Sequence, residues 1–144
     1  MKSKTELLPG EIFASSSGSL PCKLIIHAVG PKWKGGRQGE QNELFEAIAG
    51  RLEEVDRHAM KSIAIPIISS GIYGFPLDEA TKVICEAIVE YFKTNKSSGI
   101  KEIHLVDNKT EGGKSFINAL KKHLPDGTSH QAKKGKLLAY EICL

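Results

Sequence analysis

The chain predicts an α/β fold with a mostly parallel sheet flanked by helices, on three observations. Three apolar runs rich in β-branched residues, 22–29, 62–68 and 100–106, have the composition of buried strands. Each is followed by a stretch with apolar residues at three- and four-residue spacing, the period of an amphipathic helix. The joints are short and rich in glycine, serine and proline. A strand–helix alternation of this kind is satisfied by right-handed crossovers, which place helices on a sheet face.

In chain order, residues 1–9 show no period, and Gly10-Glu11-Ile12-Phe13-Ala14 reads as a short strand before the Ser15-Ser16-Ser17-Gly18-Ser19 turn. Cys22 to Val29 (CKLIIHAV), closed by Gly30-Pro31, reads as a central strand covered on both faces. Pro31 to Gly39 (PKWKGGRQG) is a basic, glycine-rich loop. Leu44, Phe45, Ile48, Leu52, Val55 and Ala59 then mark a helix over 40–59. Its acids Glu40, Glu43, Glu46, Glu53 and Glu54 read as a solvated face.

Ser62 to Ile68 (SIAIPII) is the next strand, Ser69 to Pro76 (SSGIYGFP) a loop, and Leu77 to Phe92 a strongly periodic helix stopped at Ser97-Ser98-Gly99. Ile100 to Val106 is the third strand. After Asp107 to Gly113, Phe116, Ile117, Leu120 and Leu124 share one helical face, and Pro125-Asp126-Gly127 ends it. The segment 128–144 is polar and basic until Leu137 to Ile142, which suits either an edge strand or irregular chain.

Composition narrows the function classes. With 144 residues, 40% hydrophobic and 26% charged, one modest core is expected. No apolar run reaches the roughly 20 residues of a membrane span, and no signal-peptide pattern follows Met1. Net charge is +3, all of it carried by residues 121–144, which is too little to imply nucleic-acid binding. Cys22, Cys85 and Cys143 lie far apart, which argues against a disulfide framework or a zinc ribbon. His27, His58, His104, His123 and His130 form no H-x-x-x-H pair, and no metal or cofactor is expected.

In an open α/β sheet, ligands bind beyond the carboxyl ends of the strands. There Ser69-Ser70-Gly71-Ile72-Tyr73-Gly74-Phe75-Pro76 leaves a strand and enters a helix. Its two glycines allow close backbone approach, and successive N–H groups beside a helix N-terminus make a phosphate cradle. Tyr73 and Phe75 offer apolar faces to a sugar or base; the plain alternative is an ordinary turn with aromatics in the core. Trp33 has the same two readings, stacking on a base or packing on its own domain. A second phosphate candidate is Gly113-Lys114-Ser115, with Lys114 and Ser115 in P-loop positions, although Asn108 stands where that motif needs glycine.

Taken together, Leu20-Pro21-Cys22-Lys23, Ile25-Ile26-His27-Ala28-Val29-Gly30-Pro31, Ile63-Ala64-Ile65-Pro66, Ser69 to Pro76, and Ile100 to Asp107 resemble the macrodomain, an ADP-ribose-binding module. The wording is most similar to macrodomains of the macro-containing poly(ADP-ribose) polymerases. The resemblance spans residues 10–124, with 1–9 as an N-terminal segment and 125–144 as a basic tail that resembles nothing in the family. It implies a three-layer α/β/α fold. By that resemblance Ser69 to Phe75 is the family's second phosphate loop, with the N–H groups of Ser70, Gly71, Ile72 and Tyr73 on the diphosphate and Tyr73 over the distal ribose. Asp107 and Asn108 lie beside the adenosine, and His27 is structural.

The family's adenine-reading Asp, its N-A-A-N-like segment and its glycine-rich first loop have no counterpart here. The expectation is therefore an N-terminally truncated macrodomain whose first strands are missing, with an apolar sheet edge open to pairing. It binds ADP-ribose or ADP-ribosylated proteins without hydrolysing them, in the nucleus or cytoplasm, while the parent protein is a transferase. The competing classes are a P-loop-like nucleotide-binding protein using Lys114 and Ser115, and a non-binding interaction fragment.

Overall fold

A computed structural model describes residues 12–19, 21–66, 74–107, 110–123, 129–133 and 138–143. The elements in order are β1 (Ile12–Ser16), β2 (Leu24–Ala28), α1 (Glu40–Arg57), β3 (Ser62–Pro66), α2 (Leu77–Thr94), β4 (Glu102–Asp107), α3 (Thr110–His123), β5 (Ser129–Lys133) and β6 (Leu138–Cys143). The α/β class and the βα alternation hold. β1 and β2 pair antiparallel, Ile12 opposite Ala28 and Ser16 opposite Leu24. The second sheet has the order β3-β4-β6-β5.

The sheet is mixed, and among the described pairs only β3 with β4 is parallel. The parallel share is smaller than the strand–helix order alone predicts because β1–β2 and β5–β6 are hairpins, whose short connections impose antiparallel pairing. Of the segment 137–142, left between an edge strand and irregular chain, residues 138–142 enter the sheet within β6. It lies inside, between β4 and β5, with Val106 opposite Ala139.

One hydrophobic core joins the helices to β3 and β4. Leu44, Ile48 and Leu52 of α1, Ile84 and Ile88 of α2, Ile103 and Leu105 of β4 and Phe116 and Leu120 of α3 are at most 2% exposed. α2 packs between α1 and α3, which explains why so much of its surface is buried. On β3, Ile65 is buried while Ser62, Ala64 and Pro66 are exposed. Strand side chains alternate between faces, so the described helices cover one face of β3, and the described residues supply two of the three expected layers.

The reading of residues 22–29 as a central strand covered on both faces is corrected. Leu24, Ile25 and Ile26 are only half-buried and His27 is exposed, because β2 has a single described partner, β1. α1 lies close on that hairpin through Gly50, where a Cβ would collide with Ile12 Cδ1. α1 ends with Ala59 at φ 54, the Met60 N–H donating to the Val55 carbonyl at 3.1 Å. That is a Schellman-type stop with alanine in the left-handed position that usually holds glycine.

A carboxylate knot ties the helices beyond the core. Asp56 of α1 accepts from Tyr91 Oη of α2 at 2.5 Å, Ser98 Oγ at 2.7 Å and the Gly99 N–H at 2.9 Å. Burial pushes the Asp56 carboxyl up, but these three donors outweigh it and hold it below its usual range.

Candidate functional site

β3 and β4 are parallel and in register, Pro66 opposite Val106. Segments 67–76 and 107–109 therefore leave adjacent strands at the same carboxyl-terminal edge, the position at which α/β sheets bind ligands. Ser69, Ser70, Gly71, Ile72, Tyr73 and Asn108 lie outside the described residues. Gly74, Phe75 and the Asp107 backbone are within them. Asp107 closes β4 opposite Leu138 of β6.

Gly74 sits at φ 70 with open space where a Cβ would stand, so its backbone turns in the left-handed region that favours glycine. Phe75 follows, 1% exposed, and Pro76 (φ −56) opens α2 with its carbonyl accepting from the Ala80 N–H at 2.9 Å. A proline at this boundary has the φ a helix start requires. The Phe75 ring belongs to the core, against Trp33 with centroids 4.7 Å apart and an interplanar angle of 56°. Of the two readings given to Phe75 and Trp33, packing within the domain is the one observed.

The loop carrying Trp33 is held by a residue that the sequence reading placed on a solvated face. Glu40 is 1% exposed, and its carboxylate accepts from the backbone N–H groups of Lys34 at 3.0 Å, Gly36 at 2.7 Å and Gln38 at 2.5 Å. Burial raises its pKa, and the N–H groups of Lys34, Gly36, Glu40 itself and Gln38 outweigh that to lower it overall. Gly36, at φ 83, could not carry a side chain, since a Cβ would come within 2.8 Å of the Trp33 ring. A line of contact thus runs from Glu40 through the loop and Trp33 to Phe75 and the entry of α2. The signal available in the sequence was a carboxylate opening a helix directly after a glycine-rich loop.

The P-loop reading is corrected. α3 begins at Thr110, so Gly112, Gly113, Lys114 and Ser115 are already helical rather than forming a loop. Their N–H groups past the first turn are directed to helix carbonyls, not to a phosphate. Ser115 is 5% exposed, donating to Asp78 Oδ1 at 2.6 Å and sharing a hydrogen bond with Thr81 Oγ1 at 2.6 Å. It fastens α3 to α2.

Among the described residues, His27, His58, His104 and Cys85 are engaged within the domain. His27 Nε2 lies 2.8 Å from Ser15 Oγ, and its ring is 5.8 Å from Phe13. His58 and His104 pair with Glu54 and Glu102. Burial pushes the Cys85 thiol up to about 12, which keeps it protonated and unreactive. Among the described residues no three His, Cys, Asp or Glu side chains gather as metal ligands, and no helix is long and apolar enough to cross a membrane.

Known proteins agree with this architecture. The Macro domain family matches residues 1–84. The mouse protein mono-ADP-ribosyltransferase PARP9 is 43% identical over 114 residues, which cover 76% of this chain and 13% of that protein. An O-acetyl-ADP-ribose deacetylase of Cronobacter turicensis is 38% identical over 60% of this chain and 49% of its own length. The Oceanobacillus iheyensis macrodomain solved with ADP superimposes with a TM-score of 0.74 at 30% identity, covering 81% of this chain and 60% of that one. A mutant of the same macrodomain, solved with ADPR, gives the same TM-score at 29% identity. The chain thus spans only part of the length of these relatives, and it belongs to the Macro domain family.

Proposed function

We propose that this chain is an ADP-ribose-binding module, a reader of ADP-ribose free or attached to proteins. The observation that carries this reading is the superposition on a macrodomain solved with ADP and, as a mutant, with ADPR, at about 30% identity over 81% of this chain. The strand exits support it, since two ligand-competent segments leave neighbouring parallel strands at one edge. In this reading the N–H groups of Ser70, Gly71, Ile72 and Tyr73, within the loop Ser69 to Phe75, cradle the diphosphate beside the start of α2, whose dipole favours an anion. Tyr73 covers the distal ribose, and Asp107 and Asn108 lie on the adenosine side. Phe75, buried against Trp33, holds the loop's end in place.

The test is a calorimetric titration of ADP-ribose into the purified chain without magnesium, with circular dichroism to establish folding. Saturable binding, abolished in Gly71→Glu by a carboxylate set where the diphosphate lies, supports the reading. A folded chain that gives no heat overturns it and leaves the interaction-fragment reading. The proposal is binding without turnover. Because some relatives are named O-acetyl-ADP-ribose deacetylases, O-acetyl-ADP-ribose is assayed in parallel, and release of acetate would overturn that part.

A further inference from the structure

The loop before α1 is rich in glycine, yet its conformation is fixed. Gly35, Gly36 and Gly39 stand at φ 88, 83 and 79, in the left-handed region. Glu40, buried beneath them, draws in the N–H groups of Lys34, Gly36 and Gln38, and hydrogen bonds to an ionised carboxylate are among the strong ones. With the backbone turned inward, the side chains of Lys32, Lys34 and Arg37 are exposed. Residues 31–39 hold no aspartate or glutamate, and the next exposed acid along the chain, Glu43, lies within α1. Among the described residues neither Lys34 nor Arg37 is ion-paired. The loop therefore presents cations on a braced support.

That support stands beside the ligand edge. Trp33, between Lys32 and Lys34, packs on Phe75 with ring centroids 4.7 Å apart. Phe75 is two residues from Tyr73, a backbone span of at most about 7 Å. In the functional reading above, on which this inference rests, Tyr73 covers the distal ribose, whose anomeric carbon is where a glycosidic link to a protein forms. The carrier of the ADP-ribose thus leaves the site next to the loop. We propose that Lys34 and Arg37, with Lys32, read that carrier: they select an ADP-ribosylated polypeptide segment with aspartate and glutamate around the modified side chain. Charge complementarity sets the sign of the partner. Its class follows from the lack of a stacking face, because nucleotide chains are held on aromatic side chains and the loop's one aromatic, Trp33, is turned onto Phe75. Carboxylates need only cations, and Arg37 offers a planar fork that matches one in two bonds.

The test titrates the full chain with free ADP-ribose and with two peptides ADP-ribosylated on their central serine, acetyl-Glu-Asp-Glu-Ser-Glu-Asp-Glu-amide and acetyl-Gln-Asn-Gln-Ser-Gln-Asn-Gln-amide. At low salt the acidic peptide should bind about fivefold more tightly than the neutral one, and high salt should bring the two together. The double variant Lys34→Glu/Arg37→Glu should erase or invert that ratio. Its affinity for free ADP-ribose should stay within about twofold and its melting temperature should not move, since both side chains are exposed and the Lys34 N–H is kept. Equal affinities, a ratio indifferent to salt, or a preference that survives the double variant overturns the proposal. So does a variant that loses free ADP-ribose in proportion, which would place the cations on the diphosphate itself. A short ADP-ribose oligomer bound more tightly than the acidic peptide, and released by the same variant, would assign the loop to the polymer and overturn it as well. Free ADP-ribose that fails to bind the unaltered chain is a separate outcome: it overturns the functional reading, and this inference falls with it.

Discussion

Trp33 lies on Phe75 with ring centroids 4.7 Å apart, joining the glycine-rich loop before α1 to the residue that leads into α2. The two residues are 42 positions apart in the chain, and the contact makes the position of one loop depend on the other. Trp33→Ala should lower stability by about 2–3 kcal/mol, the range for losing a large, partly buried ring. It should also weaken ADP-ribose binding, while Trp33→Phe restores most of both. Urea unfolding and calorimetry measure the two effects.

Asp56 and Tyr91 predict a pH dependence of definite sign. Three donors lower the folded pKa of Asp56 from 3.8, so its stabilisation is fully present above about pH 4 and is lost as pH falls through the lowered value. Burial first and the Asp56 contact second raise the folded pKa of Tyr91 from 10.0. Its stabilisation is present below pH 10 and disappears as pH rises through the raised value. Tyr91→Phe should cost about 1.5 kcal/mol at neutral pH, and its difference from wild type should narrow at both extremes in denaturant titrations.

Ala59 stands at φ 54, a conformation that costs an L-residue roughly 1–2 kcal/mol. Ala59→Gly removes that strain while enlarging the freedom of the unfolded chain. The expected net effect is a stabilisation of about 0.5–1 kcal/mol, read from the shift in the urea midpoint.

Lys114 and Ser115 should separate cleanly. Lys114 is exposed, and Lys114→Ala should change stability by no more than about 0.5 kcal/mol and leave ADP-ribose binding untouched. Ser115→Ala takes a partner from Asp78 and Thr81 and should cost about 1–3 kcal/mol. Magnesium-dependent ATP or GTP binding lost in Lys114→Ala would contradict the helical placement of both residues.

Periodicity and composition made the three helices and the strands β2, β3 and β4 legible, because each carries an apolar stripe or run whose spacing is local. Non-local relationships were not. Glu40 stands four residues before Leu44 on the buried face of α1, but a carboxylate reads as solvated until Lys34, Gly36 and Gln38 fold back and donate their N–H groups to it. Gly112 and Gly113 have the composition of a loop, yet both are buried inside α3, so packing overrode propensity. Leu138 to Cys143 looked too short and isolated to place, since pairing with β4 across 30 residues leaves no local trace. At the candidate site the glycine–aromatic loop was visible in its spacing, whereas the Trp33 brace beneath it was not.

The position of β6 dictates an order of assembly. β5 pairs with β6, and β6 is the strand that reaches β4, so β5 cannot join the sheet ahead of its own successor. The last two strands must dock as a preformed hairpin or in reverse sequence order. The two routes differ in native-state amide exchange: docking as a hairpin makes β5 and β6 open together, whereas the reverse order makes β5 the first to open and the last to close.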